Sequence, residues 1–201
     1  MARKFLLWVD LETTGVDEVK DPILEIGAVI TRTAYPFDEV GSFETPVDPG
    51  GDRWQARLGD YVREMHTKNG LLADIEAGKG CDIQNAEAEV INRLQQLGKP
   101  HQFMLAGSGV GHFDRRFIAT QMPKLDRWLA YPNADIGSVR RFLGFAGRDD
   151  LMSAGLTYDG DAFDDKPHRG MDDVRDHIAE ARAYCEMLRA LPGTGRVTDG
   201  D

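Results

Sequence analysis

Apolar residues recur along this chain with two periods, and each change of period marks an element. Phe5-Leu6-Leu7-Trp8-Val9 is an unbroken apolar run, with the length and composition of a strand buried on both faces. It runs straight into Asp10, and Glu12 follows two places later. Side chains alternate along a strand, so the two acids share one face. After a polar, turn-like stretch from Val16 to Asp21, Pro22 to Ile30 predicts a second strand, long enough to be the hairpin partner of the first. Glu25 within it is either a lone inward polar residue or half of an ion pair. Glu39 to Val47 predicts a weak third strand, ended by Pro46 and by Asp48-Pro49-Gly50-Gly51. Together these segments predict a three-stranded meander.

Helical spacing follows. Gly59 to Lys68, and the short apolar face of Leu71, Leu72 and Ile75, precede a break at Gly78-Lys79-Gly80. Ile83 to Leu97 sets Ala86, Val90, Leu94 and Leu97 on one face, the mark of an amphipathic helix. Gly98-Lys99-Pro100 stops it. Gln102 to Gly107 reads as another buried strand. A helix leading into a strand is the βαβ habit, which predicts a mixed sheet.

Ser108-Gly109-Val110-Gly111 is a glycine-rich bend that lacks the lysine of a P-loop and the full GxGxxG pattern. His112 opens a helix that runs to about Gln121, before Pro123. Asp114 stands where a buried strand ends, in the crevice where open α/β sheets place ligands; a helix N-cap is the other reading. Leu125 to Leu129 and Tyr131-Pro132 lead to a short segment at Ala134 to Ile136 and a short helix over Gly137 to Phe145. From Ala146 to Pro167 the chain is polar, either a mobile loop bordering the site or a solvated acidic linker. Met171, Val174, Ile178, Ala181, Cys185 and Leu188 then define the clearest helix, which Pro192-Gly193-Thr194-Gly195 ends. One domain over residues 1–191 is expected, with a disordered tail at 192–201.

Composition narrows the class. A chain of 201 residues with 41% hydrophobic content suits one globular domain with a real core. No run has the apolar length needed to span a membrane, so no membrane partner is expected. Met1-Ala2-Arg3-Lys4 leads directly into a strand, without the long apolar segment of a signal peptide. Cys81 and Cys185 are far apart and belong to no Cys/His pattern, which argues against zinc and a disulfide framework. A reducing cytoplasm is the expected compartment. The net charge of −10 argues against a long grip on a nucleic-acid backbone. A short polyanion met at a small site remains possible, where metal ions supply the positive charge.

The acids carry the chemistry. Asp10 and Glu12 side by side repel each other and lose hydration, a costly arrangement unless a cation sits between them. Two solvated acids at a strand end is the plainer reading. Hard oxygen ligands suit magnesium or manganese. Asp114 and Asp173 add acids from two distant segments, and His168 stands five residues before the last. Acids in a first helical turn also suit the helix dipole, which accounts for Asp172 and Asp173 equally. A lone histidine before a helix is commonly structural. Taken together, the set can hold two divalent ions about 3.5–4 Å apart, with a histidine to take a proton from water. That is a recipe for hydrolysing a phosphodiester.

Asp10-Leu11-Glu12-Thr13-Thr14-Gly15, His112-Phe113-Asp114 and His168 with Asp173 resemble, in order and spacing, the three motifs of the DEDDh-type (DnaQ-like) 3′→5′ exonucleases. Pro22-Ile23-Leu24-Glu25-Ile26, Gly70-Leu71-Leu72, Asp114-Arg115-Arg116-Phe117-Ile118 and His168 to Arg175 make the sequence most similar to the oligoribonuclease branch. The resemblance covers roughly residues 5 to 190. It implies an α/β, ribonuclease H-like fold with a five-stranded mixed sheet flanked by helices. It implies two Mg²⁺ or Mn²⁺ per site, held by Asp10, Glu12, Asp114 and Asp173, with His168 as general base; helix periodicity alone does not choose between Asp172 and Asp173. Leu11, Thr13, Gly15, Val16, Tyr61 and His66 are implied to contact substrate, with Val16 a wedge between bases. A homodimer is implied too, Tyr131 of one subunit packing on a base in the other's site. The implied activity releases nucleoside 5′-monophosphates from short single-stranded RNA. The alternatives are a DNA exonuclease of proofreading or repair type and a non-catalytic nucleic-acid-binding module. Four features depart from the branch: Val16 stands for its leucine, Tyr61 for its tryptophan, the glycine bend has one extra residue, and Pro132 and Gly137 replace polar groups that clasp a 5′ phosphate.

Overall fold

The computed structural model describes residues 4–150 and 168–190. Most of the polar stretch before His168, and the tail at 192–201, lie outside the described residues. In chain order come β1 (Phe5–Thr13), β2 (Ile23–Arg32), β3 (Glu39–Pro46), α1 (Asp60–Lys68), α2 (Leu71–Glu76), α3 (Ile83–Leu97) and β4 (Phe103–Gly107). After them come α4 (Asp114–Gln121), α5 (Pro123–Asp126), β5 (Ala134–Asp135), α6 (Ile136–Phe145) and α7 (Gly170–Ala190). The strands form one mixed sheet in the order β3-β2-β1-β4-β5. β1, β2 and β3 are antiparallel neighbours, whereas β4 and β5 run parallel to β1. This is the expected α/β architecture: the meander, plus parallel strands reached through helices.

The apolar run of β1 lies at the centre because both its faces are covered. Leu7, Val9 and Leu11 pack on one side with Ala86, Val90 and Leu94 of α3 and Phe117 and Ile118 of α4. Leu6 and Trp8 pack on the other with Val29 of β2, Ala106 of β4 and Val174, Ile178 and Ala181 of α7. By the same alternation Asp10 and Glu12 continue the Leu6 and Trp8 row, so they face α7. A third, smaller cluster joins Leu24 to Trp54, Leu58, Leu71 and Ile75, and seats α2 beside the sheet.

Three elements differ from the sequence pattern. β2 starts after Pro22 and runs on to Arg32. A 3₁₀ turn at Gln55–Arg57, with too few residues to show a period, precedes α1. Pro123 both ends α4 and opens α5 as its first residue, a position where its missing N–H costs nothing. The buried Glu87 of α3 caps α5 from a distance, its Oε1 accepting from the backbone of Lys124 (2.6 Å) and Leu125 (3.0 Å). No local signal in the sequence announces that cap.

Candidate active site

Two glycines set how closely α7 meets the sheet. Gly27 is the register partner of Asp10, and the first residue of α7, Gly170, lies directly over it. A Cβ on Gly27 would stand 2.2 Å from the Gly170 carbonyl carbon and 2.5 Å from the Met171 nitrogen. A Cβ on Gly170 would stand 2.8 Å from the Gly27 nitrogen and 3.1 Å from the Asp10 carbonyl oxygen. Only bare backbone fits on either side.

Glu25 locks this approach. It is wholly buried on β2. Its Oε1 accepts from Arg169 Nε (2.8 Å) and Nη2 (2.6 Å), and its Oε2 from the Gly170 backbone (2.8 Å). Arg169 also reaches Asp74 of α2 at 3.2 Å. Of the two readings of Glu25, the ion pair is therefore the observed one. It pins the residues on either side of the start of α7 to the edge of the site.

The result is a carboxylate cluster. Asp10, Glu12 and Asp173 each bring one oxygen to within 4.8 Å of the other two. Asp173 is buried, whereas its neighbour Asp172 is exposed. Asp114 arrives from α4 and is 4% exposed; its Oδ1 accepts from the backbone N–H of Leu11, between the two β1 acids, at 3.1 Å. The structure thus joins three of the four acids in one group and holds the fourth against the strand that carries two of them. Burial, then the charges of Asp173, Glu25 and Asp114, push the Glu12 carboxyl up to about 8. Burial pushes Asp114 up to about 7; the charge of Asp135 adds to this, and the Leu11 hydrogen bond opposes it. Such mutual repulsion is what a divalent cation relieves, and an all-carboxylate donor set suits a hard ion such as Mg²⁺ or Mn²⁺. The cluster is therefore capable of coordinating a metal.

The histidines take different places. His168 precedes α7 with a left-handed backbone (φ 45°), and its carbonyl accepts from Asn69 Nδ2 at 2.6 Å. His66 is fully buried. Burial, aided by the nearby charges of His168 and Arg169, lowers its pKa to about 4. A neutral ring makes its 3.7 Å approach to Glu12 a polar contact rather than an ion pair. Its Nδ1 lies 3.5 Å from Asn69 Nδ2, a donor, and its Nε2 lies 3.4 Å from the Thr13 carbonyl, so the proton belongs on Nε2. His66 thus stands behind the Glu12-Thr13 backbone.

The other substrate candidates divide by exposure. Leu11 and Thr13 are buried, and the Thr13 hydroxyl donates to the Gly15 carbonyl at 2.6 Å. Gly15 abuts the Asp21 carboxylate, which a Cβ would meet at 2.4 Å. Val16 (76% exposed), Tyr61 (63%) and Tyr131 (96%) present large apolar side chains to solvent. Sequence reasoning left Gly27, Asn69 and Gly170 without a role, although Asn69-Gly70 and the glycine after Arg169 were visible signals of a special backbone.

This chain belongs to the RNase T family, whose model, described as "Exonuclease", matches residues 7–181. It is an exonuclease of the DEDDh, DnaQ-like kind, on the oligoribonuclease branch. It is 31% identical over 202 residues to the oligoribonuclease of Cutibacterium acnes, covering 96% of this chain and 90% of the relative. It is 32% identical over 182 residues to that of Marinobacter nauticus, covering 89% and 93%. Among solved structures, the nuclease domain of 3′hExo, a DEDDh family member bound to rAMP, superposes with a TM-score of 0.58 at 21% identity, covering 93% of this chain and 92% of that one. Escherichia coli exonuclease I in complex with single-stranded DNA superposes with a TM-score of 0.65 at 17% identity, covering 94% of this chain. This chain spans only 42% of exonuclease I's length. At those identities the structural likeness shows the fold alone.

Proposed function

We propose that this chain is a metal-dependent 3′→5′ exonuclease that releases nucleoside 5′-monophosphates from short single-stranded RNA. The observation that carries the reading is the convergence of Asp10, Glu12 and Asp173, with Asp114 braced against β1. Asp10, Glu12, Asp114 and Asp173 would hold two Mg²⁺ or Mn²⁺. When bound, the ions would supply the positive charge that favours attack by water and departure of the ribose oxygen. His168 takes the proton of the attacking water. Val16 and Tyr61 lie against the bases of the terminal nucleotides, and Leu11, Thr13, Gly15 and His66 belong to the same substrate-binding segment around Glu12.

A homodimer is part of this proposal. Tyr131 projects from the turn before α6, and α6 itself leaves Val139, Phe142 and Phe145 43%, 70% and 82% exposed. With Tyr184, Met187 and Leu188 of α7 the same face forms an apolar groove of about 320 Å³. In this proposal a second copy covers this face and each Tyr131 serves the other subunit's site.

RNA is favoured over DNA by the relatives' name, oligoribonuclease, and short substrates by the acidic net charge, which repels a long strand. The test is a length series of 5′-labelled RNA and single-stranded DNA, with Mg²⁺ and with EDTA. Shortening from the 3′ end, fastest on the shortest RNAs and abolished by EDTA, is the expected result. Faster turnover of DNA would transfer the reading to a DNA exonuclease. Asp173→Asn should lower kcat by at least about 100-fold, the scale of losing a charge-stabilising group, while Asp172→Asn retains activity.

A further inference from the structure

The Asp-Arg-Arg-Phe signature places two arginines after Asp114, and their surroundings differ. Arg116 is mostly exposed and pairs with Glu18 at the surface. Arg115 is only 20% exposed. Its Nε donates to Asp126 Oδ1 at 2.7 Å, and its Nη1 donates to the Ala130 carbonyl at 3.1 Å and to Asn133 Oδ1 at 3.2 Å. Two of these acceptors flank Tyr131-Pro132. The guanidinium therefore grips the turn on both sides of its most exposed residue, while its own backbone N–H is fixed to the Val110 carbonyl at 2.9 Å.

The turn is anchored on its sheet side as well. The Ala130 N–H donates to the Phe103 carbonyl at 2.7 Å, and Leu129 bridges the same residue. Pro132 removes a further backbone freedom. Tyr131 thus projects from a base with little freedom to pivot, and the arginine that braces this base is the next residue to a site acid. A planar fork suits this task better than a flexible ammonium, because it meets several acceptors in fixed directions.

We propose that Arg115 is a positioning residue, which holds the turn displaying Tyr131 in one conformation and thereby fixes how Tyr131 is presented to substrate in the other subunit's site. The proposal rests on the reading of Tyr131 as a substrate group. Arg115 touches no substrate and acts only through that turn.

A double-mutant cycle on the full chain tests this, with Mg²⁺ and a short RNA as substrate. Arg115→Gln should raise KM about tenfold with kcat changed less than about twofold, the pattern of lost uniform binding. In a Tyr131→Ala background the same substitution should change kcat/KM less than about twofold, because the group it positions is gone. Arg115→Lys should recover part of the loss, and Arg116→Ala should match the parent. Mn²⁺ titration by calorimetry should give the parent affinity in every variant. If Arg115→Gln does not fold, Asn133→Ala enters the same cycle from the turn's side. Additive losses, or parent kinetics for Arg115→Gln, would overturn the proposal while leaving Tyr131's own role standing. Parent kinetics for Tyr131→Ala would overturn the reading of Tyr131, and the proposal with it.

Discussion

At the scale of single residues the site stores electrostatic conflict. Glu12, with a carboxyl pushed up to about 8 from an ordinary 4.5, is protonated in the folded protein over a range where the unfolded chain has lost the proton. The folded state then binds more protons than the unfolded one, so stability falls as pH rises through that window. Metal-free protein should therefore lose melting temperature between about pH 4.5 and pH 8. Glu12→Gln should remove part of that slope and stabilise the metal-free fold by about 2–4 kcal/mol at pH 8, with little effect near pH 4. Added Mn²⁺ should raise the melting temperature of the parent at pH 8 and do much less for the variant. Scanning calorimetry across pH, with and without the ion, checks all three. A variant that is more stable and less active is the signature of groups arranged for a ligand.

At the scale of elements, the decisive contact is the seat of α7 on the β1–β2 pair. The facing surfaces are two glycine backbones, and neither can yield to a side chain by a rotamer change. Gly27→Ala should displace the start of α7, costing about 3 kcal/mol of stability, and should weaken Mn²⁺ binding, since Asp173 moves with the helix. A urea melt and a metal titration on the same variant read both effects. The Glu25–Arg169 pair acts on the same joint. Two Arg169 nitrogens share Glu25 Oε1 and the Gly170 N–H takes Oε2, so both carboxylate oxygens are satisfied despite burial. The helices themselves were legible in sequence because their apolar spacing is local. The lengths of β5 and α5 were not, since Ala134–Asp135 is strand only by pairing with β4, and α5 is capped by Glu87 from another helix.

At the scale of the whole molecule, the acidic charge and the exposed apolar face of α6 bear on what the protein meets. A chain with a net charge of −10 gains little from a long phosphate backbone. The dependence of RNA cleavage on salt should be shallow for short substrates. Burial of Phe142 and Phe145 against a second copy should give twice the monomer mass in sedimentation, and Phe142→Asp should yield monomer. In that monomer, activity on short RNA should fall about tenfold or more if Tyr131 serves the other subunit's site.

The sequence by itself determined the strands and helices, the four acids, and their attachment to the ends of apolar elements, because those features are written in short-range periodicity. Periodicity alone did not choose between Asp172 and Asp173, which only the family resemblance separated, and it did not show how deeply His66 lies, because residues of a helix differ only in what faces them. The tertiary structure placed Asp173 in the carboxylate cluster and buried His66. Asp173 turns towards β1 because Gly27 and Gly170 let the helix sit directly on the sheet, and His66 is sealed behind Thr13 because α1 packs there. The spacing of an active site is a property of contacts between distant segments, and no single stretch of chain encodes a distance to another.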